Sequence, residues 1–282
     1  MSKNITVIKA SGDKEPFSEK KYKSALKRAG ASEKVIKEAL EKVKKIRKTE
    51  VTAKELYRET FKVLKKKERG TAGRYNLKNA LFQLGPSGYP FEHFVGDIFQ
   101  ELGYSVEVGK NVQGKCVQHE VDVIAINGNK HALIECKFHN SPGLYTSVKV
   151  PLYVKARFDD LNEYADKHKK KSEHFHEGYV FTNTRFSRDS MAYAKCRGLN
   201  LVGWSYPEGK GIANLIDTLG IHPITCLAVI TKKEAKKLIE QGIVTCRDIA
   251  NKLKTLKAIG FKQKKIDQIV EEAKSICKKN KR

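Results

Sequence analysis

The sequence predicts a multi-domain α/β protein: a mostly helical N-terminal domain, a central α/β sheet domain and a small C-terminal helical domain. Three observations predict it. Strand-like runs crowd into the middle of the 282 residues, where they first follow one another and then alternate with helical stretches. Amphipathic helical periods fill both ends. The stretch Gly85-Pro86-Ser87-Gly88-Tyr89-Pro90, and later Pro223, punctuate the transitions. The domains are therefore placed at 1–88, 89–222 and 223–282.

In chain order, ITVIK and a short run ending at Phe17 read as strands joined by a turn through Ser11-Gly12-Asp13. Ser18 suits the N-cap of a first helix and Gly30 its end. Val35, Ala39, Leu40, Val43 and Ile46 share one face of a second helix. Thr52 and Glu55 form a capping box opening a third, and a fourth is predicted over 72–84. Beyond the boundary come a helix over 91–102, a strand over 104–108 and a hairpin over 119–138. Pro151 opens a long helix to about His168. GYVFTN, a helix from Ser187, and LNLVGW complete the centre. After Pro223 the pattern is helical, and the terminal KKNKR reads as a frayed tail.

Charge separates the same regions. Residues 1–70 carry 22 Lys and Arg against 10 Asp and Glu, and residues 223–282 carry 16 against 6. The middle is nearly balanced, at 18 against 16. Two basic ends around a neutral centre suit a polyanion such as nucleic acid or nucleotide. The same excess also fits lysine-rich amphipathic helices, since Lys outnumbers Arg 45 to 11. Six isolated cysteines without a CxxC pair point to reduced thiols. No apolar run reaches bilayer-spanning length and the first residues lack a signal-peptide core, so a cytoplasmic location with no membrane partner is expected.

The hairpin HEVDVIAINGNKHALIECKF carries the chemistry. Side chains alternate faces along a strand, so Val121, Val123 and Ala125 share one face while Glu120 and Asp122 share the other. In the partner strand Ile134, Cys136 and Phe138 oppose Glu135 and Lys137. With Gly128-Asn129 as the turn, Asp122 lies across from Glu135. A loop at Asn127-Gly128 shifts the pairing but keeps the four charges on one face. Like charges opposite one another destabilise a sheet, so a cation should sit between them. Mg²⁺ takes oxygen ligands and uses one or two carboxylates; Asp122, Glu135 and the Cys136 carbonyl supply oxygens. Lys137, on the same face, could position a water or stabilise charge developing on phosphate. A solvated amphipathic hairpin is the plain alternative.

From about Phe91 to Leu219 the chain resembles the PD-(D/E)xK nuclease superfamily and, within it, Mrr-like restriction endonucleases. The matching pieces are FEHFVGDIFQELGY, EVDVIA, LIECK and EGYVFTNTRFSRDSMAYAKCRGLNLVGW. The resemblance implies a metal-dependent nuclease core with Asp122 and Glu135 as metal ligands and Lys137 as catalytic lysine. Glu92 matches an acidic residue that completes such sites; a helix-start carboxylate is its alternative. Val121 stands where the family name has proline. Glu120 reads as a partner beyond the ligands themselves, and Lys155 and Arg157 as surface charge or phosphate contacts.

GKNVQGKC fits GxxxxGK, but Cys116 replaces the Ser or Thr of a P-loop and a strand follows instead of a helix, so it is rejected. VIKASGDKEPFSEKKYKSALKRAG, followed by helices through RYNLKNAL, resembles the ATP-cone over about residues 3–88. That resemblance implies ATP or dATP as a regulatory ligand, with Val7 and Lys9 lining it and Glu15 near the base. It also places Lys21 on phosphate and Thr52 at the third helix start, although Ala10 stands where the module has a basic residue. Gly242-Ile243 and Gly260-Phe261 resemble helix-hairpin-helix DNA-binding repeats lacking a second glycine, with Lys262, Lys264 and Lys265 as phosphate contacts. His168, His174 and His176 read as a solvated loop. The function expected is a Mg²⁺-dependent DNA endonuclease regulated by nucleotide, with a role in defence against foreign DNA. A homodimer would serve symmetric cleavage. The alternative is a nucleotide-responsive DNA-binding regulator with an inactive nuclease fold.

Overall fold

The structure, a computed structural model, describes residues 5–9, 12–46, 48–169 and 173–278. Ser11 of the first turn and residues 279–282 of the basic tail lie outside the described residues. The chain packs as two compact units, one formed by residues 1–80 with 222–282 and the other by residues 81–221.

The first unit opens on a three-stranded sheet. Strand β1 (Thr6–Ile8) lies between β2 (Lys14–Pro16), antiparallel, and β3 (Glu50–Thr52), parallel. Between them run α1 (Glu19–Arg28) and α2 (Glu33–Lys44), and after them α3 (Ala53–Lys67). Each starts where a side-chain oxygen meets an orphan helix amide: Ser18 on Lys21, Ser32 on Val35, and Thr52 in a complete capping box with Glu55. Leu26, Ile36, Ala39, Val43 and Leu64 make the core beneath. The helix expected over 72–84 is two helices, α4 (Arg69–Tyr75) and α5 (Leu77–Phe82). Asn76 separates them, its side chain held by the Tyr57 hydroxyl, as suits a residue that bonds locally rather than extending a helix.

The second unit begins with α6 (Tyr89–Glu101), β4 (Ser105–Gln113), β5 (Gln118–Asn127), β6 (Lys130–Lys137) and β7 (Tyr145–Thr146). It continues with α7 (Lys149–Lys167), β8 (Glu177–Thr182), β9 (Arg185–Phe186), α8 (Arg188–Arg197), β10 (Asn200–Val202) and α9 (Ile212–Leu219). Five strands form one mixed sheet in the order β10-β8-β6-β5-β4. The meander β4-β5-β6 is antiparallel; β6, β8 and β10 are parallel, joined through α7 and α8. Phe91, Phe94 and Phe99 of α6 are buried, and Phe99 meets Tyr179 and Phe181 of β8 edge-on. Leu133, Val154, Leu161 and Val180 form a second apolar cluster. Strand β4 runs five residues past its expected end at Val108, so GKNVQGKC is the tail of a strand and its turn. Asp160 of α7 pins that turn, accepting from the Cys116 amide at 2.9 Å and meeting His119 Nε2 at 2.8 Å.

The C-terminal segment adds α10 (Lys232–Glu240), α11 (Leu253–Ala258) and α12 (Gln263–Cys277) to the first unit. There α12 lies on α4 at two small residues. A methyl group on Gly73 would come within 2.4 Å of Ile276 Cδ1 and 3.0 Å of the Cys226 carbonyl oxygen. Arg74 donates to the Ala29 carbonyl at 2.7 Å and to the Ser275 carbonyl at 2.8 Å. Local punctuation in the sequence cannot display such pairing between segments far apart in the chain. Gly73→Ala is expected to lower stability by about 1–3 kcal/mol from overpacking, although Ala is otherwise the better helix former. Urea denaturation measures it; a gain in stability would mean that α4 and α12 do not meet this closely. Among the described residues no helix is long and apolar enough to cross a membrane.

Candidate active site

Strands β5 and β6 pair from Asn127↔Lys130 through Ile126↔His131 to Val123↔Ile134, around Gly128 at φ +57° and Asn129. This is the register set by a Gly128-Asn129 turn; just beyond its end Asp122 lies near enough to Glu135 to raise that carboxyl. There a side chain joins the strands: the Cys136 amide donates to Asp122 Oδ2 at 2.7 Å. Val121, Val123, Ala125, Ile134 and Cys136 are buried. The alternation of apolar and charged residues thus fastens the hairpin by one face and leaves the other to its charges.

On that charged face Glu135 Oε2 accepts from Arg157 Nη1 of α7 at 2.6 Å. Their side chains are only 17% and 6% exposed. Lys137 ends β6, opposite Thr182 of β8, and is exposed. Glu92 stands in the first turn of α6. Burial raises its carboxyl to about 7, with the charges of Asp122, Glu120 and Glu135 adding to the effect. Burial also raises the Asp122 carboxyl, opposed by the Cys136 amide and Arg157. For Glu135 burial and then Asp122 push upward, while Arg157 and Lys137 pull down. The Cys136 thiol is pushed well up by burial and these carboxylates, and stays a neutral filler.

The donor set suits a hard divalent cation. Asp122 and Glu135 are adjacent carboxylates, each raised by burial, and more carboxylate lies close by than Arg157 and Lys137 can neutralise. Among the described residues no three His, Cys, Asp or Glu side chains already form a metal cage. The candidate ligands are instead two carboxylates and the Cys136 carbonyl.

Reading Arg157 as surface charge is corrected by its burial. The signal was present: Val154, Arg157 and Leu161 fall at i, i+3 and i+7 on the buried stripe of α7. A guanidinium on such a stripe needs an anion, and Glu135 is that anion. Lys155 is paired with Asp159 and lies 5.3 Å from the Phe158 ring. Lys265 is likewise engaged, donating to the Val229 carbonyl and pairing with Glu234. His174 and His176 make ring contacts with each other, and His176 with His131.

In the first unit Lys9 and Lys21 converge on Glu15, at 2.8 and 3.4 Å. Val7 pairs with Glu15 in β2 and with Val51 in β3. Thr52 lies across from Ile8, with its hydroxyl engaged by Glu55. The structure brings Lys9, Glu15 and Lys21 into one ionic cluster and places Thr52 one strand away.

Residues 85–205 match the restriction endonuclease family of Mrr catalytic domains, and residues 222–277 match the AF1548-like C-terminal family. An uncharacterized protein of Archaeoglobus fulgidus is 38% identical over 180 residues, which span 64% of this chain and 97% of that protein. The crystal structure of AF1548, a protein of unknown function, is similar at a TM-score of 0.56 and 38% identity. That likeness covers 68% of this chain and 98% of the other.

Proposed function

The chain belongs to the family of the Archaeoglobus fulgidus protein and carries a restriction endonuclease-like domain at 85–205, and from that premise we propose that it is a Mg²⁺-dependent DNA endonuclease. One observation carries the reading: the hairpin brings Asp122 and Glu135 together, locks Asp122 with the Cys136 amide, and places Lys137 two residues beyond Glu135. Asp122, Glu135 and the Cys136 carbonyl hold the ion. Bound there, Mg²⁺ supplies a polarised phosphoryl oxygen and a water of lowered pKa. Lys137 presents its ammonium to the attacking water and to the charge developing on phosphate. Glu92, with a carboxyl near 7 among these carboxylates, would be the group able to give or take a proton at working pH.

The basic flanks bind the DNA and carry the regulation. Lys9 and Lys21 exchange Glu15 for the phosphates of ATP or dATP, with Val7, Glu15 and Thr52 completing the nucleotide site. The protein works in the cytoplasm, as a homodimer where it cuts both strands, and its substrate is foreign DNA. The test is nicking of supercoiled plasmid with Mg²⁺, with and without ATP or dATP. Wild type nicks the plasmid, chelation stops it, and nucleotide changes the rate several-fold. Lys9→Ala and Lys21→Ala keep the basal rate and lose that response. Identical rates with and without nucleotide would remove the regulatory part alone.

A nucleotide-responsive DNA-binding regulator with an inactive nuclease fold is the second reading, favoured by the Arg157–Glu135 ion pair, which engages a proposed ligand. DNA binding by a protein inert with every divalent metal would move it ahead.

A further inference from the structure

The proposed metal site already contains a cation. Arg157 projects from the buried stripe of α7, donates through Nη1 to Glu135 Oε2 at 2.6 Å, and has its guanidinium carbon 5.0 Å from the Tyr153 ring centre. Tyr153 is one turn earlier on the same helix. The Arg157 Nε is buried without a hydrogen-bond partner among the described residues. The guanidinium is therefore held by its charge and the Tyr153 ring rather than by a full set of hydrogen bonds. The two proposed ligands differ in this respect. Asp122 is tied to a backbone amide, which is neutral and fixed by the sheet. Glu135 is tied through one oxygen to a full positive charge, and a divalent ion on the same carboxylate would be repelled by that guanidinium at close quarters.

We propose that Arg157 is a resident cation on Glu135 that the metal displaces. In the metal-free protein its guanidinium occupies Glu135 Oε2 through the 2.6 Å ion pair. Metal loading is then an exchange of one cation for another on Glu135, while the Tyr153 ring retains the displaced guanidinium beside the site. The inference rests on the metal-site reading above and adds a direction to it: removing Arg157 tightens metal binding. A purely structural arginine would have the opposite effect, because its loss would loosen Glu135.

The experiment is Mn²⁺ titration by calorimetry at about pH 8, without DNA, on the full chain. It compares wild type, Arg157→Met, Arg157→Lys and Asp122→Ala. Arg157→Met is expected to bind Mn²⁺ about tenfold more tightly than wild type, with Arg157→Lys near the wild-type value. Asp122→Ala loses binding. Equal or weaker binding by Arg157→Met, with wild type still binding through Asp122, overturns the exchange and leaves the metal site standing. Wild-type binding that Asp122→Ala does not change overturns the metal site itself. Should Arg157→Met fail to fold, a crystal of wild type grown with Mn²⁺ decides. Exchange requires Glu135 on the metal and Arg157 Nη1 beyond the ion-pair range of about 4 Å. Both contacts present together on Glu135 overturn it.

Discussion

Glu135→Gln is expected to abolish plasmid nicking, and Lys137→Met to lower it about 10²-fold, the low end of the scale for removing one charge that stabilises a transition state, because Lys137 is exposed. The two losses have different causes. Glu135→Gln keeps the shape of the side chain but removes a ligand charge, and it strands the buried Arg157, 6% exposed, without its anion. Thermal stability should therefore fall in that variant along with activity. Lys137 is exposed at the end of β6 and makes no hydrogen bond or close ion pair among the described residues, so Lys137→Met should fold much as wild type does and fail mainly in catalysis. Nicking rates together with melting temperatures separate these outcomes. A Lys137→Met protein as active as wild type would remove the lysine from the chemistry whatever happened at Glu135.

Much of this site was legible in the sequence because strand chemistry is local. The alternation from Glu120 to Ala125 and from Ile134 to Phe138, with a Gly-Asn turn between, specifies the faces and the register together, and the structure adopts that register. Helix starts were legible for the same reason: Ser18 and Thr52 each cap an amide three residues on. Longer-range features were not. The Asp122–Cys136 bond depends on how two strands part beyond Val123↔Ile134, which no residue type announces. Arg157 lies 22 residues from Glu135, and only its place on the apolar stripe of α7 hinted at burial. The packing of Gly73 against Ile276 joins opposite ends of the chain, and a glycine within a helix does not announce which distant side chain will fill the space beside it. Asn76, which splits the expected fourth helix, is a weak breaker by residue type alone; the Tyr57 hydroxyl that holds it comes from another helix.

The charge crowding at this site also predicts how stability depends on pH and metal. Glu92, Asp122 and Glu135 all have carboxyls raised above their ordinary values, first by burial. For Glu92 the window runs from the ordinary value of 4.5 to about 7. Within it the folded protein holds a proton that the unfolded chain has released, so stability falls as pH rises. This is the reverse of a salt-bridged carboxylate, whose contribution is lost as pH falls. The Glu92 contribution to the stability of the metal-free protein should therefore be smaller at about pH 8 than at about pH 5, and comparison with a Glu92 variant isolates it. Glu92→Gln should match wild type at the acid end and exceed it by about 1–2 kcal/mol at the alkaline end. That figure is well below the full shift because Glu92 is partly solvated. Mg²⁺ should act in the same window, since it binds the ionised carboxylates: at about 100 times its dissociation constant it adds about 2.7 kcal/mol. Its stabilisation should grow with pH and shrink in Asp122→Asn. Scanning calorimetry across the range, with and without Mg²⁺, measures all of these. A gap between Glu92→Gln and wild type that stays constant with pH would place Glu92 outside the carboxylate cluster. Mg²⁺ stabilisation indifferent to both pH and Asp122 would place the ion elsewhere on the chain. Burial and the mutual repulsion of these carboxylates make their charged forms costly without a metal, and the same two effects would favour a bound divalent ion, so the predicted instability and the proposed catalysis share one origin.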